Sequence, residues 1–412
     1  MKISALMMAL RSSRRPIRAG ALAVAGLLAS CGGDSNFYFA PFNVPNSVAI
    51  ADVNGDGVPD LLVATTLDQG YQHNPGFANV ILNSATSPGT FQAGVQYPTT
   101  NPDPSSMAVA DLTGSGFLDM VVANAYGSVS VYLHGATPGT FLAAVDVPTG
   151  GAPNQVVIGD INGDGLPDLV LADLYGSVIY LLQDPAHPGQ FLAPVVLPTI
   201  TSASSVALAD LNGDGAVDIV AAGSDSFGNG GAYVFFQVAA TPGTFLTPVR
   251  FDAGVAPQAV KAADMDGDGL MDLVVADFGY SDGSSGGVSV LLQDPAHAGT
   301  FLAPVTYASP GGSIDVAVGA LTAAGANDVV LANLAPGNTG SVSVLLHDPA
   351  HPGALLAATS YAGFGQPLGV ALGDLNSDGR PDIAVADATS ATVLIQSATQ
   401  AGAFAPAKQV GQ

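Results

Sequence analysis

An all-β fold, a seven-bladed propeller with four antiparallel strands per blade, is what this sequence predicts, and three observations predict it. The first is a repeat. An aspartate that opens a short polar loop recurs as Asp52, Asp111, Asp160, Asp210, Asp264 and Asp374, with Ala320 at the one remaining position. The intervals average about 54 residues, a period that belongs to propellers and solenoids. Residues 37–412 hold seven such periods and leave no remainder for a second domain. The second observation is patterning. Short β-branched runs are punctuated by glycine and proline, which favours strands over helices. The third is composition. All 33 acidic residues are aspartate, none is glutamate, and the chain carries 51 Gly and 29 Pro. Those are residues of turns and caps rather than of helix surfaces.

Each unit divides into four strands. In the third copy a first apolar strand (156–160) runs into the Asp-rich loop, and a second (167–173) and third (176–184) follow. A turn rich in Pro, Ala and Gly then leads to a fourth strand that opens with Phe (190–198). Radial packing of such units leaves only short protected edges. The fourth-strand pattern occurs eight times, because 39–45 precedes the first unit and 404–410 follows the last. One copy is surplus. We expect the N-terminal copy to complete the last blade beside 370–396; closure by 404–410 is the alternative.

The loops carry the chemistry. Their pattern is D-x-N-x-D-G-x-x-D, with oxygen-bearing groups at positions 1, 3, 5, 7 and 9, position 7 contributing its backbone carbonyl. Blade 1 supplies Asp52, Asn54, Asp56, Val58 and Asp60; blade 3 supplies Asp160, Asn162, Asp164, Leu166 and Asp168. Blade 4 supplies Asp210, Asn212, Asp214, Ala216 and Asp218; blade 5 supplies Asp264, Asp266, Asp268, Leu270 and Asp272. Blade 7 supplies Asp374, Asn376, Asp378, Arg380 and Asp382. This is the alternating oxygen spacing of a calcium loop, with a glycine at position 6 for the sharp turn. Hairpins joined by a bare Asp-Gly turn do not require three further oxygen residues at odd spacing. Nothing supplies a bidentate glutamate at position 12, so the expected affinity is weak, on the order of 10⁻⁴ M. Blade 2 has Asp111, Thr113, Ser115 and Asp119, a weak site; blade 6 has Ala320, Thr322, Ala324 and Asp328, no site. About five Ca²⁺ ions are expected.

The first thirty residues read as an address. A basic segment (1–18) precedes an apolar run (19–29), too short to span a bilayer but fitting an export signal. Leu28-Ala29-Ser30-Cys31 resembles a bacterial lipobox, which implies cleavage before Cys31, the sole cysteine, and a lipid on its thiol. Ser13-Arg14-Arg15-Pro16-Ile17 resembles a twin-arginine signal. Residues 31–36 would be a tether. Gly32 after the cysteine points, by the same resemblance, to the outer membrane. From Cys31 onward 33 acidic residues face four basic ones, a formal charge of −29. Such a chain repels nucleic acid and anionic lipid surfaces, so its membrane contact is expected only through the anchor. A disulfide scaffold is excluded by the single cysteine.

The loops and the apolar strand after each resemble the FG-GAP or VCBS-type repeat, the propeller unit of integrin α-chain heads and of many bacterial surface proteins. That resemblance spans about 37–412. It implies a calcium-bound propeller used for adhesion, ligand recognition or scaffolding. No Arg-Gly-Asp and no inserted domain are present, so no integrin activity is implied. The calcium loops and 3–4 turns should share one face, and the 2–3 and 4–1 loops the other. On that second face the 2–3 loops expand in blades 1, 4 and 5, with Tyr71, His73, Phe227, Phe278, Tyr280 and Asp282 as candidate ligand contacts. Insertions clustered on one face of a repeat array mark a binding face. The expected object is a non-catalytic, monomeric cell-surface propeller for ligand recognition, adhesion or scaffolding, whose partner is a protein or glycan. Two alternatives are a carbohydrate-active enzyme on the same fold and a structural component of an envelope assembly. Motifs for a nucleophile elbow, a P-loop or a zinc helix are missing. Asn124, Asp173, Asp277, Asn333 and Asp387 share one position, read as local backbone capping rather than a polar ring; His187, His297 and His351 read as turn residues.

Overall fold

A computed structural model describes residues 42–410 except 69–74, 176, 199–201, 225–229, 280–285, 323–324 and 336–338. Seven four-stranded antiparallel sheets follow one another along the chain, and in each the strands lie side by side in sequence order. The blades span 42–98, 104–148, 153–198, 202–251, 257–308, 312–364 and 367–410. The second and third strands are buried on both faces, as in Asp168–Asp173 and Ser177–Leu181. That explains why those runs are continuously apolar rather than alternating. Fourth strands such as Val145–Pro148 are short and largely exposed, and those of blades 1, 2 and 3 end in proline, which blunts the outer edge.

The cores lie between blades. Each of seven hydrophobic clusters draws on two neighbours: Val170, Val178 and Tyr180 of blade 3, for example, pack against Val206, Ile219 and Phe235 of blade 4. The phenylalanine opening the fourth-strand pattern is not in that strand. It forms a lone bridge to the end of the third strand, as in Gln183 with Phe191, and the ladder resumes at Val195. The phenylalanine meets the fourth-strand aromatic of the preceding blade or its neighbours: Tyr97 with Phe141 at 5.7 Å, Phe251 with Phe301 at 4.9 Å and Tyr361 with Phe404 at 5.7 Å, all edge to face.

Every first strand contains a register shift one residue wide, at Asn46, Ser105, Asn154, Ser204, Gln258, Ile314 and Leu368. In four blades the extra residue bonds the backbone of the next. Asn46 Nδ2 donates to Pro104 O (2.7 Å), Ser105 Oγ to Pro153 O (3.0 Å), Asn154 Nδ2 to Ser204 O (2.7 Å) and Ser204 Oγ to Pro257 O (3.0 Å).

The expectation that the N-terminal fourth-strand copy completes blade 7 is corrected. Residues 42–45 extend the first strand of blade 1, pairing from Phe42 with Asp68 to Pro45 with Thr65. Blade 7 is completed by Lys408–Val410, which pairs with Ala391–Val393. The reason is local. The second strand of blade 1 runs nine residues, Asp60–Asp68, and so offers the N-terminal copy a partner within its own blade. The two ends of the ring meet by side-to-side packing rather than a shared strand, with Val48, Leu61 and Val63 of blade 1 against Ala384, Ala386 and Val393 of blade 7.

Candidate metal-binding loops

Each loop joins the first strand of a blade to its second, and its shape is set by short side chains that accept backbone N–H groups. In blade 3, Asp160 Oδ1 accepts from Gly163 N (2.7 Å) and Asp164 N (3.2 Å), and Oδ2 accepts from Gly165 N (2.8 Å). Asn162 Oδ1 accepts from Asp164 N (2.9 Å), and Asp164 Oδ1 from Leu166 N (2.8 Å). Blades 1 and 4 repeat these bonds through Asp52, Asn54 and Asp56 and through Asp210, Asn212 and Asp214. Both glycines of the blade 3 loop have positive φ, 75° at Gly163 and 84° at Gly165, so position 4 carries the same demand as position 6.

In blade 5, Asp264, Asp266 and Asp268 each bring an oxygen within 4.8 Å of the other two. This is the only set of three carboxylates so gathered among the described residues. Burial, with the charges of Asp268 and Asp264 beside it, pushes the Asp266 carboxyl up. Three carboxylates held this close repel each other unless a cation or protons neutralise them. The donor set is all hard oxygen, which fits Ca²⁺ rather than a softer metal.

The aspartate at position 9 stands apart from that cluster. Asp60, Asp119, Asp168, Asp218, Asp272, Asp328 and Asp382 are all buried. Asp168 Oδ2 accepts from Ile161 N (3.0 Å) at the start of the loop, and Oδ1 accepts from Gln183 N (2.7 Å) at the end of the third strand. The same pair of bonds occurs in every blade, including blade 6, where Asp328 takes Leu321 N and His347 N, both at 2.8 Å. Burial pushes Asp60, Asp168, Asp218, Asp272 and Asp382 up to about 6, against the pull of those two N–H groups. Position 9 therefore fastens three pieces of its own blade whether or not the loop has other acidic residues. The sequence held the signal: it is the one loop position occupied by aspartate in all seven copies.

A second set of positions had no sequence rationale. The carboxamide ending the third strand bridges loop and turn. Gln183 Nε2 donates to Pro167 O (2.8 Å) while its Oε1 accepts from Gly189 N (3.1 Å), and Asn83, Gln237, Gln293 and Gln396 donate in the same way. The 3–4 turn then rests on the loop of the preceding blade: Gly139 N donates to Val53 O (3.2 Å), and Asn83 Nδ2 to Leu375 O (2.7 Å). Calcium-type loops and 3–4 turns thus share one face, as expected.

A family model for the FG-GAP-like repeat matches residues 52–122, 111–171, 160–221, 210–275 and 321–385. The chain belongs to the FG-GAP-like repeat family. A search of curated proteins found no match. FG-GAP propellers are generally non-enzymatic, serve as ligand-binding or scaffolding folds, and often bind calcium.

The remaining FG-GAP loops diverge. In blade 2, Asp111 accepts from Gly116 N (2.6 Å) and Ser115 N (3.0 Å). Burial would raise its carboxyl, but these N–H groups outweigh it and hold it low. Phe117 stacks on His134 with centroids 4.5 Å apart, beside a cavity of about 390 Å³. Thr113 and Ser115 line that cavity and offer hydroxyls where other loops offer an amide and a carboxylate. In blade 6, Ala320 and Thr322 leave the loop without acid before Asp328; Ala324 lies outside the described residues.

Of the candidate ligand-face residues, Tyr71, His73, Phe227, Tyr280 and Asp282 lie outside the described residues, as does Cys31. Phe278 is half-buried, and its N–H donates to Ala256 O (3.1 Å). The shared position at the end of the second strand is buried in all five blades that carry Asn or Asp there. Asp173 Oδ1 accepts from Ala152 N (2.7 Å) and Asp387 Oδ1 from Gln366 N (2.6 Å), so these residues hold the 4–1 connections, in line with the capping reading. Asp277 accepts from Ser289 Oγ (2.6 Å), while its Oδ1 is buried with no hydrogen-bond partner; burial pushes it up to about 7. His187, His297 and His351 are exposed and pair with Asp184, Asp294 and Asp348 three residues earlier, on three separate blades.

Proposed function

We propose that the chain is a calcium-stabilised propeller for recognition or scaffolding at a bacterial surface, exported and held by a lipid on Cys31. The observation that carries the calcium reading is the convergence of Asp264, Asp266 and Asp268 in a loop whose pattern recurs in blades 1, 3, 4 and 7. Calcium held by positions 1, 3 and 5 would neutralise carboxylates that otherwise repel, and would lock a loop on which the next blade's turn rests. At free calcium tenfold above Kd each site would contribute about 1.4 kcal/mol, or about 7 kcal/mol over five sites. A thermal melt in calcium and in chelator tests this, and an unchanged melting temperature would sink it. The lipid anchor rests on the lipobox resemblance around Cys31. Substituting Cys31→Ser should release the chain from the membrane fraction, and retention would count against it. The partner is a protein or a glycan, met at the face carrying the 2–3 loops. Glycan-array binding without product release supports recognition, whereas released saccharide would favour the carbohydrate-active alternative.

A further inference from the structure

The blade 7 loop departs from its counterparts at position 4 and at position 7, where a basic side chain reaches the position 5 carboxylate. Position 7 holds Arg380, where blades 1, 3, 4 and 5 carry Val58, Leu166, Ala216 and Leu270. Arg380 Nη2 lies 2.9 Å from Asp378 Oδ2, and Arg380 N donates to Asp378 Oδ1 at 3.0 Å. Asn376 Nδ2 donates to the same Oδ2 at 3.2 Å. Both oxygens of the position 5 carboxylate are therefore engaged, one of them by a charged guanidinium. Nη1 reaches Ala398 O at 3.4 Å and so ties the loop to the turn of its own blade. Position 4, glycine in the other loops of this type, is Ser377 at φ 58°. Among the described residues no other lysine or arginine pairs with a loop carboxylate; Arg250 pairs with Asp252 on a fourth-strand edge.

The place of this loop in the ring gives the substitution its meaning. Blades 7 and 1 meet where the chain closes on itself with no strand exchanged. Blade 1 reaches across that seam to the blade 7 loop, through Asn83 Nδ2 on Leu375 O and through Gly89, whose Cβ position is 3.5 Å from Asn376 Cβ. On the other side of blade 7, the blade 6 loop has alanine at position 1.

We propose that Arg380 is a built-in cation. In blade 7 it takes the neutralising role that bound Ca²⁺ takes in blades 1, 3, 4 and 5, so the loop at the ring's seam keeps its shape at any calcium concentration. This inference rests on the calcium reading above. An incoming Ca²⁺ would sit about 2.3–2.6 Å from a carboxylate oxygen. It would have to displace the guanidinium or share Asp378 with it, and like-charge repulsion at that range weakens binding by roughly tenfold or more.

The test is a calcium titration by calorimetry on the whole chain, with Arg380→Gln and Arg380→Lys beside it. Hydrogen exchange of 374–382 and 160–168 is followed in calcium and in chelator. We expect four sites of similar affinity in the wild type and in Arg380→Lys, and five in Arg380→Gln. Segment 160–168 should lose protection in chelator in every protein; 374–382 should lose it only in Arg380→Gln. Five equivalent sites in the wild type would overturn the inference, as would an unchanged count in Arg380→Gln. No calcium bound by any of the three would overturn the calcium reading itself, and this inference with it.

Discussion

Asp328 separates two jobs that look like one in the sequence. Its blade lacks acid at position 1, yet it keeps the two backbone bonds made by Asp168 and its equivalents. Replacing it with alanine strands two buried N–H groups and should cost about 3 kcal/mol, equally in calcium and in chelator. Chemical denaturation would show it, and a cost present only with calcium would contradict the fastening role. Asp277 makes a different prediction. Its carboxyl rises from an ordinary 3.8 to about 7 because burial penalises the charge. Below pH 4 the group is protonated in both folded and unfolded chains. Between pH 4 and 7 only the folded chain holds the proton, so this group's contribution declines as pH rises and is lost above 7. Asn124 and Asn333 fill the equivalent place in blades 2 and 6, donating to Ser130 Oγ (2.9 Å) and Ser343 Oγ (2.8 Å). Asp277→Asn should therefore stabilise the protein at pH 8 by about 2–4 kcal/mol, with the advantage shrinking toward pH 5. Melting curves at the two pH values decide it.

At the scale of the element, what matters is how one blade holds the next. Inner strands are stitched by the residue at the register shift, and loops are covered by the neighbour's turn. Gly139 sits at that second contact with φ 73°, and a Cβ there would lie 3.1 Å from Asn54 Cβ and 3.2 Å from the methyls of Leu82. Gly139→Ala should cost about 1–2 kcal/mol from the left-handed backbone alone. It should also weaken calcium binding in blade 1 by crowding Asn54, without replacing any ligand. A titration in which affinity is unchanged would show that turn and loop are independent. The same crowding explains why the sequence revealed the loops but not the carboxamides. Gln183 and its equivalents reach carbonyls 15 to 24 residues away, and nothing local distinguishes them from any polar residue at a strand end.

For the whole molecule the governing quantity is charge. A formal −29 from Cys31 onward favours solubility and opposes compaction. Five bound Ca²⁺ would bring it to −19, and four to −21. The calcium-free protein should therefore gain more from salt than the loaded one. Raising NaCl from about 10 mM to 0.5 M should lift its melting temperature further, because the Debye length falls from about 30 Å to under 5 Å. Equal salt dependence of both forms would argue against calcium as the neutralising partner.

Blade count, the four-strand unit and the loop positions are legible in the amino-acid order, because period, alternation and oxygen spacing are local properties that each repeat states again. Position 9 was visible there as an aspartate but not as a fastener, since its partners at Ile161 and Gln183 are set by folding rather than by neighbourhood. How the ring closes is set by pairings made in the folded chain. Eight fourth-strand patterns competed for seven places, and each end carried a plausible copy. The length of Asp60–Asp68 drew the N-terminal copy into blade 1, leaving Lys408–Val410 to finish blade 7. That choice depends on which strand offers open hydrogen bonds once the blades have formed, a long-range fact that no single repeat encodes.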